Sequence, residues 1–423
     1  MSSVIEFYPS TAARRLRLVE GVPGRAFAKV EVHRTPDAVE ADWAELEVLA
    51  TASIYQTRAF VVPWLETLGA ARKITPLFVT AKDSFGRTIA LLCLGVRSYG
   101  WFRVASFLGG RESNFNFGLF RPGSHFSPAD LRALLREAAK AAGKHAPDVF
   151  VLKNQPYEWN AAQNPFAFLP HRPSPSAAYA TELGSDAAAF LKSKLSKDTQ
   201  KKLRKKEARL AEIGPVELLT GEDPENARLI LDAFFFEKIR RCEEKAITSD
   251  FAAPSMRSFF ERLCRHGNTS ANRWLELYGL ALGGRIIATY IGAAHRGHFS
   301  AMVNSFDSDP EIAKSSPGDL LLMKLVAAQC TDDRTSFDLG IGEARYKMTY
   351  CDIKVPLFDV VVPLGARGYA VAARQAICSR LKTAIKERPQ VFAALRQAKY
   401  FVAHKRFAGA PSLSPKPSPE LSH

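Results

Sequence analysis

Toward the end of the chain five residues able to move protons or hold charge fall close together: Asp338, Glu343, Arg345, Tyr346 and Lys347. They follow a short apolar run, Ser336–Leu339, and straddle Gly340-Ile341-Gly342, which places them on a strand end, a tight turn and the start of a helix. Strand ends in open α/β sheets border the cleft where ligands bind. Group transfer to a nucleophile needs a group that takes the nucleophile's proton, donors for a developing negative charge and an acid for the departing group. By residue type Asp338 or Glu343 suits the first role, Lys347 the second (or a carboxylate partner) and Tyr346 the third. A plainer arrangement uses the same residues: Asp338 caps the turn and Glu343 pairs with Lys347 at i, i+4, worth about 0.3–0.5 kcal/mol.

Upstream, Ser316-Pro317-Gly318 opens an apolar helical run. A helix N-terminus presents unpaired N–H groups and a partial positive charge, so these three residues could receive a phosphate or pyrophosphate, with Gly318 allowing close approach. An ordinary cap, Ser316 before Pro317, is the alternative. Asn304 and Asp307, at the end of a preceding strand, are expected to border the same cleft. Other polar groupings carry less. His295-Arg296-Gly297-His298 offers two imidazoles without a third ligand at a supporting spacing, so no metal is expected. Gly109-Gly110-Arg111 with Asn114 and Asn116 could touch an acidic or sugar substrate, or simply turn the chain. No G-x-S-x-G elbow is present. The six cysteines are scattered without a C-x-x-C pair, which fits reduced thiols and not a disulfide frame.

The elements that must position these residues read as two passes through one order. In the first, an apolar run at 26–32 precedes helical segments at 39–49 and 58–68. Strands at 74–81, 89–97 and 101–108, a helix from Pro128 to about Lys144 capped by Ser127, and a strand at 149–152 follow. The second pass has a strand at 216–218, helices at 225–238 and 253–265, and strands at 274–282, 285–294 and 298–304. It closes with a helix from Pro317, a strand at 336–339, a short helix at 343–350 and a strand at 357–362. With 423 residues, 47% of them hydrophobic, the chain has ample core for such a pair.

The net charge of +15 is concentrated. Nine basic residues face two acidic ones from Lys192 to Arg209, and eleven face two from Arg367 onward, which leaves the remaining body within one charge of neutral. The first segment has a thin apolar stripe, Phe190, Leu191, Leu195, Leu203 and Leu210, and reads as one basic helix. The tail places Ile377, Leu381 and Ile385 at helical spacing, with Val391, Phe392 and Leu395 beyond, among lysines and arginines. A solvated face, a contact to a phosphate backbone, and docking on an anionic membrane all fit such segments. No run approaches the ~18 apolar residues of a membrane span and no leader opens the sequence, so a cytoplasmic protein is expected.

The order of a helix pair, antiparallel strands, helix and strand resembles the GNAT acyltransferase fold. Two copies with a helical insertion resemble the FemAB-type transferases. Ser316-Pro317-Gly318-Asp319-Leu320-Leu321 and Asp338-Leu339-Gly340-Ile341-Gly342-Glu343-Ala344-Arg345-Tyr346-Lys347 resemble the "SPG-x-LL … DFG-x-Ge-x-YK" signature of GNAT-like acetyltransferases of the CelD/BcsL type, linked to cellulose and exopolysaccharide synthesis. Ser193-Lys194 with Lys202-Leu203-Arg204-Lys205-Lys206 is similar to that family's basic helix, and the stretch from Arg58 to Trp64 is loosely similar to its early "x-F-x-T-x-x-W" segment. Leu339 stands where the family has an aromatic, and the Gly-rich pyrophosphate loop Q/R-x-x-G-x-G/A of GNAT enzymes is absent.

The resemblance implies an α/β protein of two tandem GNAT-like lobes, FemAB-like, at 1–183 and 215–365. Between them lies a basic helical insertion at 184–214; a basic amphipathic helical tail at 366–410 and a disordered end at 411–423 follow. It implies N-acyl transfer from acetyl-CoA or another acyl-CoA onto an amine of a cell-surface polysaccharide or lipid-linked precursor. Asp338, Glu343, Tyr346 and Lys347 are the expected catalytic residues, Ser316, Pro317 and Gly318 the cofactor-binding ones, and Asn304, Asp307 and Arg345 the substrate-binding ones. Two alternatives stay open. One is FemAB-like transfer from an aminoacyl-tRNA, which makes RNA a partner; the other is a non-catalytic scaffold. Peripheral contact with the inner membrane through the basic tail is compatible with each.

Overall fold

The hairpin Leu275–Leu282/Arg285–His295 shows how locally the sheets are specified. Gly283 and Gly284 take positive φ values of 55° and 80°, the left-handed pair that a two-residue turn needs, and the strands pair antiparallel from Leu282↔Arg285 to Leu275↔Ala293. The computed structural model describes residues 25–244, 249–269, 272–331 and 333–386. Its strands are β1 (Lys29–His33), β2 (Thr75–Lys82), β3 (Thr88–Tyr99), β4 (Phe102–Phe107), β5 (Val149–Pro156), β6 (His171–Pro173) and β7 (Ala178–Glu182) in the first half. In the second half they are β8 (Val216–Thr220), β9 (Leu275–Leu282), β10 (Arg285–His295), β11 (His298–Phe306), β12 (Ser336–Ile341), β13 (Ile353–Val355) and β14 (Leu357–Pro363). The helices are α1 (Glu40–Leu49), α2 (Arg58–Trp64), α3 (Pro128–Ala141), α4 (Ala187–Lys194), α5 (Lys197–Ala211), α6 (Pro224–Glu244), α7 (Pro254–Gly267), α8 (Pro310–Ala313), α9 (Pro317–Gln329), α10 (Arg345–Tyr350) and α11 (Ala366–Lys386).

The two passes become two sheets of matching order. The first runs β1-β2-β3-β4-β5-β14-β6, with the short strand Leu119–Phe120 pairing on β3; the second runs β8-β9-β10-β11-β12-β7-β13. In each the fourth and fifth strands are parallel and the other ladders are antiparallel.

The sixth position in each sheet is filled from the other half of the chain. β7, expected to end the first lobe at 183, pairs with β12, and β14, expected inside the second lobe ending at 365, pairs with β5. Across the expected boundaries at 183 and 215–365 the two sheets exchange one strand each. Interleaving of this kind is invisible to periodicity, because a strand's pattern reports how many of its faces are buried and not which neighbour buries them.

The cores follow the layers. α3 covers one face of the first sheet, burying Leu131, Leu134 and Leu135 against Leu92, Leu94 and Phe150. α4, α5 and α9 cover the corresponding face of the second, with Phe190, Leu203, Leu210, Leu321 and Leu325 against Ile287, Phe299 and Phe337. α1, α2, α6 and α7 fill the space between the lobes; there the Phe60 and Phe259 rings meet edge-on at 5.6 Å, each fully buried. Full burial of such a side chain contributes about 1.5–3 kcal/mol. Arg296, in the turn expected at His295–His298, donates from Nη1 to the Ala50 carbonyl (2.8 Å) and from Nη2 to the Glu47 carbonyl (2.6 Å), so the second lobe caps the C-terminus of α1.

The basic insertion is two helices and not one. Ser196 breaks it, because its hydroxyl accepts the Thr199 N–H and starts α5. The tail begins as α11 on the first sheet, where Val371 packs on Val149 and Val151. Of its expected stripe Ile377 is exposed; the side chains of Leu381 and Ile385, and Val391, Phe392, Leu395 and the end at 411–423, lie outside the described residues. Among the described residues no helix is long and apolar enough to cross a membrane, and no group of three His, Cys, Asp or Glu is placed to hold a metal.

Candidate active site

β11 and β12 are parallel neighbours only at His298↔Ser336, Phe299↔Phe337 and Ser300↔Asp338, after which their pairing ends. Next to this point β11 carries a bulge: Ile291 faces Val303 and Gly292 faces Ala301, leaving Met302 without a partner position. A bulge bends its strand and re-aims its side chains. The sheet therefore opens as a wedge between the far halves of β11 and β12, and α9 and α10 supply what stands around it.

The N-terminus of α9 has no side-chain cap, and the Asp319 N–H donates to the Ser316 carbonyl (3.0 Å). Ser316 lies in the left-handed region (φ 48°, ψ 62°), and its side chain caps no N–H. The Ser316 hydroxyl instead accepts from Lys206 Nζ at 2.8 Å, and the same ammonium stands 3.7 Å from Asp319. Lys206 comes from α5, which is held on α9 by Leu203 and Leu210 in the shared core and by the Lys324–Glu207 ion pair (2.7 Å). A Cβ on Gly318 would lie 3.3 Å from the Phe306 ring, over which the Arg241 guanidinium sits at 3.8 Å. The donor set is thus a helix N-terminus without a side-chain cap beside a lysine, with an arginine on the adjoining ring, which fits a phosphate or pyrophosphate.

Two phenols stand next to it. Tyr290 and Asn304 are directly opposed on β10 and β11, and Tyr346 of α10 lies beside both. Burial pushes the Tyr290 and Tyr346 phenols up, and the nearby Asp319 carboxylate adds to the shift. Both therefore remain protonated near neutral pH and can donate. Lys206, Asp319 and Tyr290 were not among the residues expected from sequence. Tyr290 was findable only through the register that sets it across from Asn304, and Lys206 stood in view as one of nine similar charges.

The other expected residues separate. Asp338 is fully buried and faces no cleft: Oδ2 accepts from His298 Nε2 (2.8 Å) and from the Ser300 hydroxyl, and Oδ1 accepts the Gly340 N–H (2.6 Å). The network continues into the first lobe, where Tyr55 lies beside Ser300 and Asp338 and Asn114 donates to its hydroxyl at 2.8 Å. This is a polar joint between the lobes. Lys347 is buried and donates to the carbonyls of Gly340 (3.2 Å) and Ile341 (2.9 Å), which braces the turn. Burial lowers its pKa, against the pull of Asp338. The i, i+4 pair with Glu343 does not form; Glu343 is exposed, 3.9 Å from Lys354 and hydrogen-bonded with Tyr179, and Arg345 is exposed too. Asp307 is completely buried between Arg240 (2.5 Å) and Arg285. Its position at a strand end misled, because the strand runs on to Phe306 and turns inward.

Residues 197–348 match the family described as acetyltransferase (GNAT) domain. That segment is a GNAT acyltransferase domain. It contains α5, α9 and all of the tyrosine cluster, so Lys206 belongs to the domain and not to an appendage. Among solved structures FemX superposes on 79% of this chain and 98% of its own, at 10% identity and a TM-score of 0.51. A tandem GNAT protein from the clavulanic acid biosynthesis pathway covers 80% of this chain and 98% of its own (13% identity, TM-score 0.48). L-PGS from Bacillus licheniformis covers 78% and 93% (12%, 0.45). A search of curated proteins finds no match. The fold is thus a GNAT fold in two FemX-like lobes, and the GNAT domain makes the protein an N-acyltransferase by class.

Proposed function

We propose that the protein moves an acyl group from acyl-CoA, acetyl-CoA in the simplest case, to an amine of a cell-surface polysaccharide or lipid-linked precursor. The carrying observation is the uncapped N-terminus of α9 with Lys206 beside it. Ser316, Pro317 and Gly318 receive the pyrophosphate, and Lys206 and Arg241 balance its charge. The thioester supplies a carbonyl activated toward an amine. Tyr346, positioned by Asn304 and Tyr290, donates its proton to the thiolate as the C–S bond breaks, and Glu343, the exposed carboxylate three residues away, takes the proton of the attacking amine. Arg345 contacts the acceptor. Lys347 and Asp338 fix the turn that carries them.

Calorimetric titration with acetyl-CoA tests this reading. Binding that weakens about tenfold in Lys206→Ala, the loss of one charge-assisted contact, is expected. A second reading has its own observation: Lys197, Lys201, Lys202, Arg204, Lys205 and Arg209 are all exposed on α5 beside the same helix end. If acetyl-CoA gives no heat while a short RNA binds with steep salt dependence, the donor is an aminoacyl-tRNA. If neither binds, and Tyr346→Phe leaves cellular output unchanged, the chain is a scaffold. Contact of the basic tail with an anionic membrane is a further part of the proposal, tested by vesicle flotation with and without residues 366–423.

A further inference from the structure

A cavity of about 820 Å³ lies between the first sheet and α11. Its apolar wall is Phe102 and Val104 of β4, Val361 of β14 and Val371 of α11; its cations are Lys153, Arg172 and Arg374, all exposed. The carboxylate in the lining, Asp359, already accepts the Asn154 N–H (3.0 Å) and the Ser174 hydroxyl. α11 closes the cavity because its first turn is seated hard on the sheet: a Cβ on Gly368 would lie 2.0 Å from the Asp148 carbonyl oxygen. At one end the lining includes Tyr99, from a hairpin tip where Tyr99 is 46% and Trp101 60% exposed. Arg367 Nη1 ties α11 to this tip through the Trp101 carbonyl at 3.3 Å. At the other end the lining reaches Ile341, whose carbonyl Lys347 holds in the turn of the candidate active site.

A volume of this size suits one ligand. An apolar wall beside three cations selects an amphipathic anion, and exposed Tyr and Trp at the mouth suit the boundary between water and hydrocarbon. We propose that this cavity binds a long-chain lipid phosphate, its chain on Val104, Val361 and Val371 and leaving past Tyr99, its phosphate on Lys153, Arg172 and Arg374. The lipid-linked acceptor then enters beside the Gly340–Gly342 turn. That it is the acceptor rests on the transfer reading above; the binding itself does not.

The test is titration of the full chain with decyl phosphate below its micellar range, with decyl glucoside as the uncharged match and acetyl-CoA as the control. Decyl phosphate is expected to bind, decyl glucoside at least tenfold more weakly. Arg172→Glu with Arg374→Glu, both on exposed side chains, should weaken decyl phosphate at least tenfold and leave acetyl-CoA binding unchanged. Ala372→Trp, which fills the cavity, should abolish decyl phosphate binding. Equal binding of the two amphiphiles, or a charge-reversed variant that binds decyl phosphate like the parent, overturns the proposal. So does binding to anionic lipid vesicles alone that survives Ala372→Trp, since that is a surface contact. A parent that binds decyl phosphate but not acetyl-CoA keeps the cavity and sinks the acyl-CoA reading.

Discussion

Both lobes begin their sheet-covering helix with the same frame, Ser127-Pro128-Ala129-Asp130 in the first and Ser316-Pro317-Gly318-Asp319 in the second. In the first the frame is shut by its own side chains. The Ser127 hydroxyl accepts the Asp130 N–H (3.1 Å) and Asp130 accepts the Ser127 N–H (3.0 Å), a complete capping box. In the second no such side-chain box forms, and Ser316 is turned into the left-handed region. The difference comes from outside the frame. Lys206, on a helix inserted between the lobes, takes the Ser316 hydroxyl and lies near Asp319, so neither is left to cap. The same four-residue frame thus forms a self-contained stop in one lobe, while in the other its side chains are engaged by a lysine from outside it.

If that contrast marks the working lobe, the largest effect belongs to the acid. Tyr346→Phe is expected to lower kcat by about 10²–10⁴-fold, the range for losing a general acid, with little change in acetyl-CoA affinity. A fall below tenfold removes Tyr346 from the chemistry. Next comes the joint between the lobes. Asp338→Ala leaves His298, Ser300 and the Gly340 N–H without their acceptor in a buried site, which should cost about 3 kcal/mol by urea denaturation. If stability holds while kcat collapses, Asp338 is the base after all and the joint is incidental.

These two residues also mark where sequence could be read. Asp338 and Tyr346 were legible as a cluster because a strand, a Gly-x-Gly turn and a helix start bring them within one short stretch. The succession of most strands and helices along each pass was legible because hydrophobic periodicity and the turn at Gly283-Gly284 are local signals. What escaped depends on contacts far along the chain. The exchange of β7 and β14 cannot be inferred from either strand's own residues. Burial of Asp338 depends on Tyr55 and Asn114, more than two hundred positions away, and the register that aligns Tyr290 with Asn304 exists only once the hairpin is built. Asp307 carried the right residue type at the right kind of place and still turned out to neutralise two arginines.

The two helix starts give a matched pair of smaller effects. Lys206→Ala should weaken acetyl-CoA about tenfold, roughly 1.4 kcal/mol, and barely change stability. Ser127→Ala should cost about 1 kcal/mol of stability and leave acetyl-CoA affinity alone. Measuring both constants on both variants gives a crossed result if the two frames differ as described. A loss of affinity from Ser127→Ala would mean that the first lobe binds the donor as well.

The smallest effect compares carboxylates on the first helix of the interlobe layer in each half. Glu47 of α1 is raised by burial but accepts the Arg58 N–H (3.0 Å) and lies near Arg296, which hold the rise down. Glu237 of α6 is buried facing another carboxylate, Asp307, and burial first, then Asp307, pushes it up to about 7 in spite of Arg240 and Arg285. The folded state therefore keeps a proton on Glu237 that the unfolded chain releases above about 4.5, so its contribution is full at low pH and is lost as pH rises toward 7. His295, which burial pushes down to about 4, acts oppositely: the unfolded chain binds its proton first, so stability rises from about pH 4 to 6.5. A raw stability curve mixes the two. The difference between parent and Glu237→Gln isolates the first: the parent's advantage should shrink steadily from pH 5 to 7 and stay level above. A difference independent of pH would mean that Arg240 and Arg285 keep Glu237 ionised in the folded protein, and that the two halves handle their buried carboxylates alike.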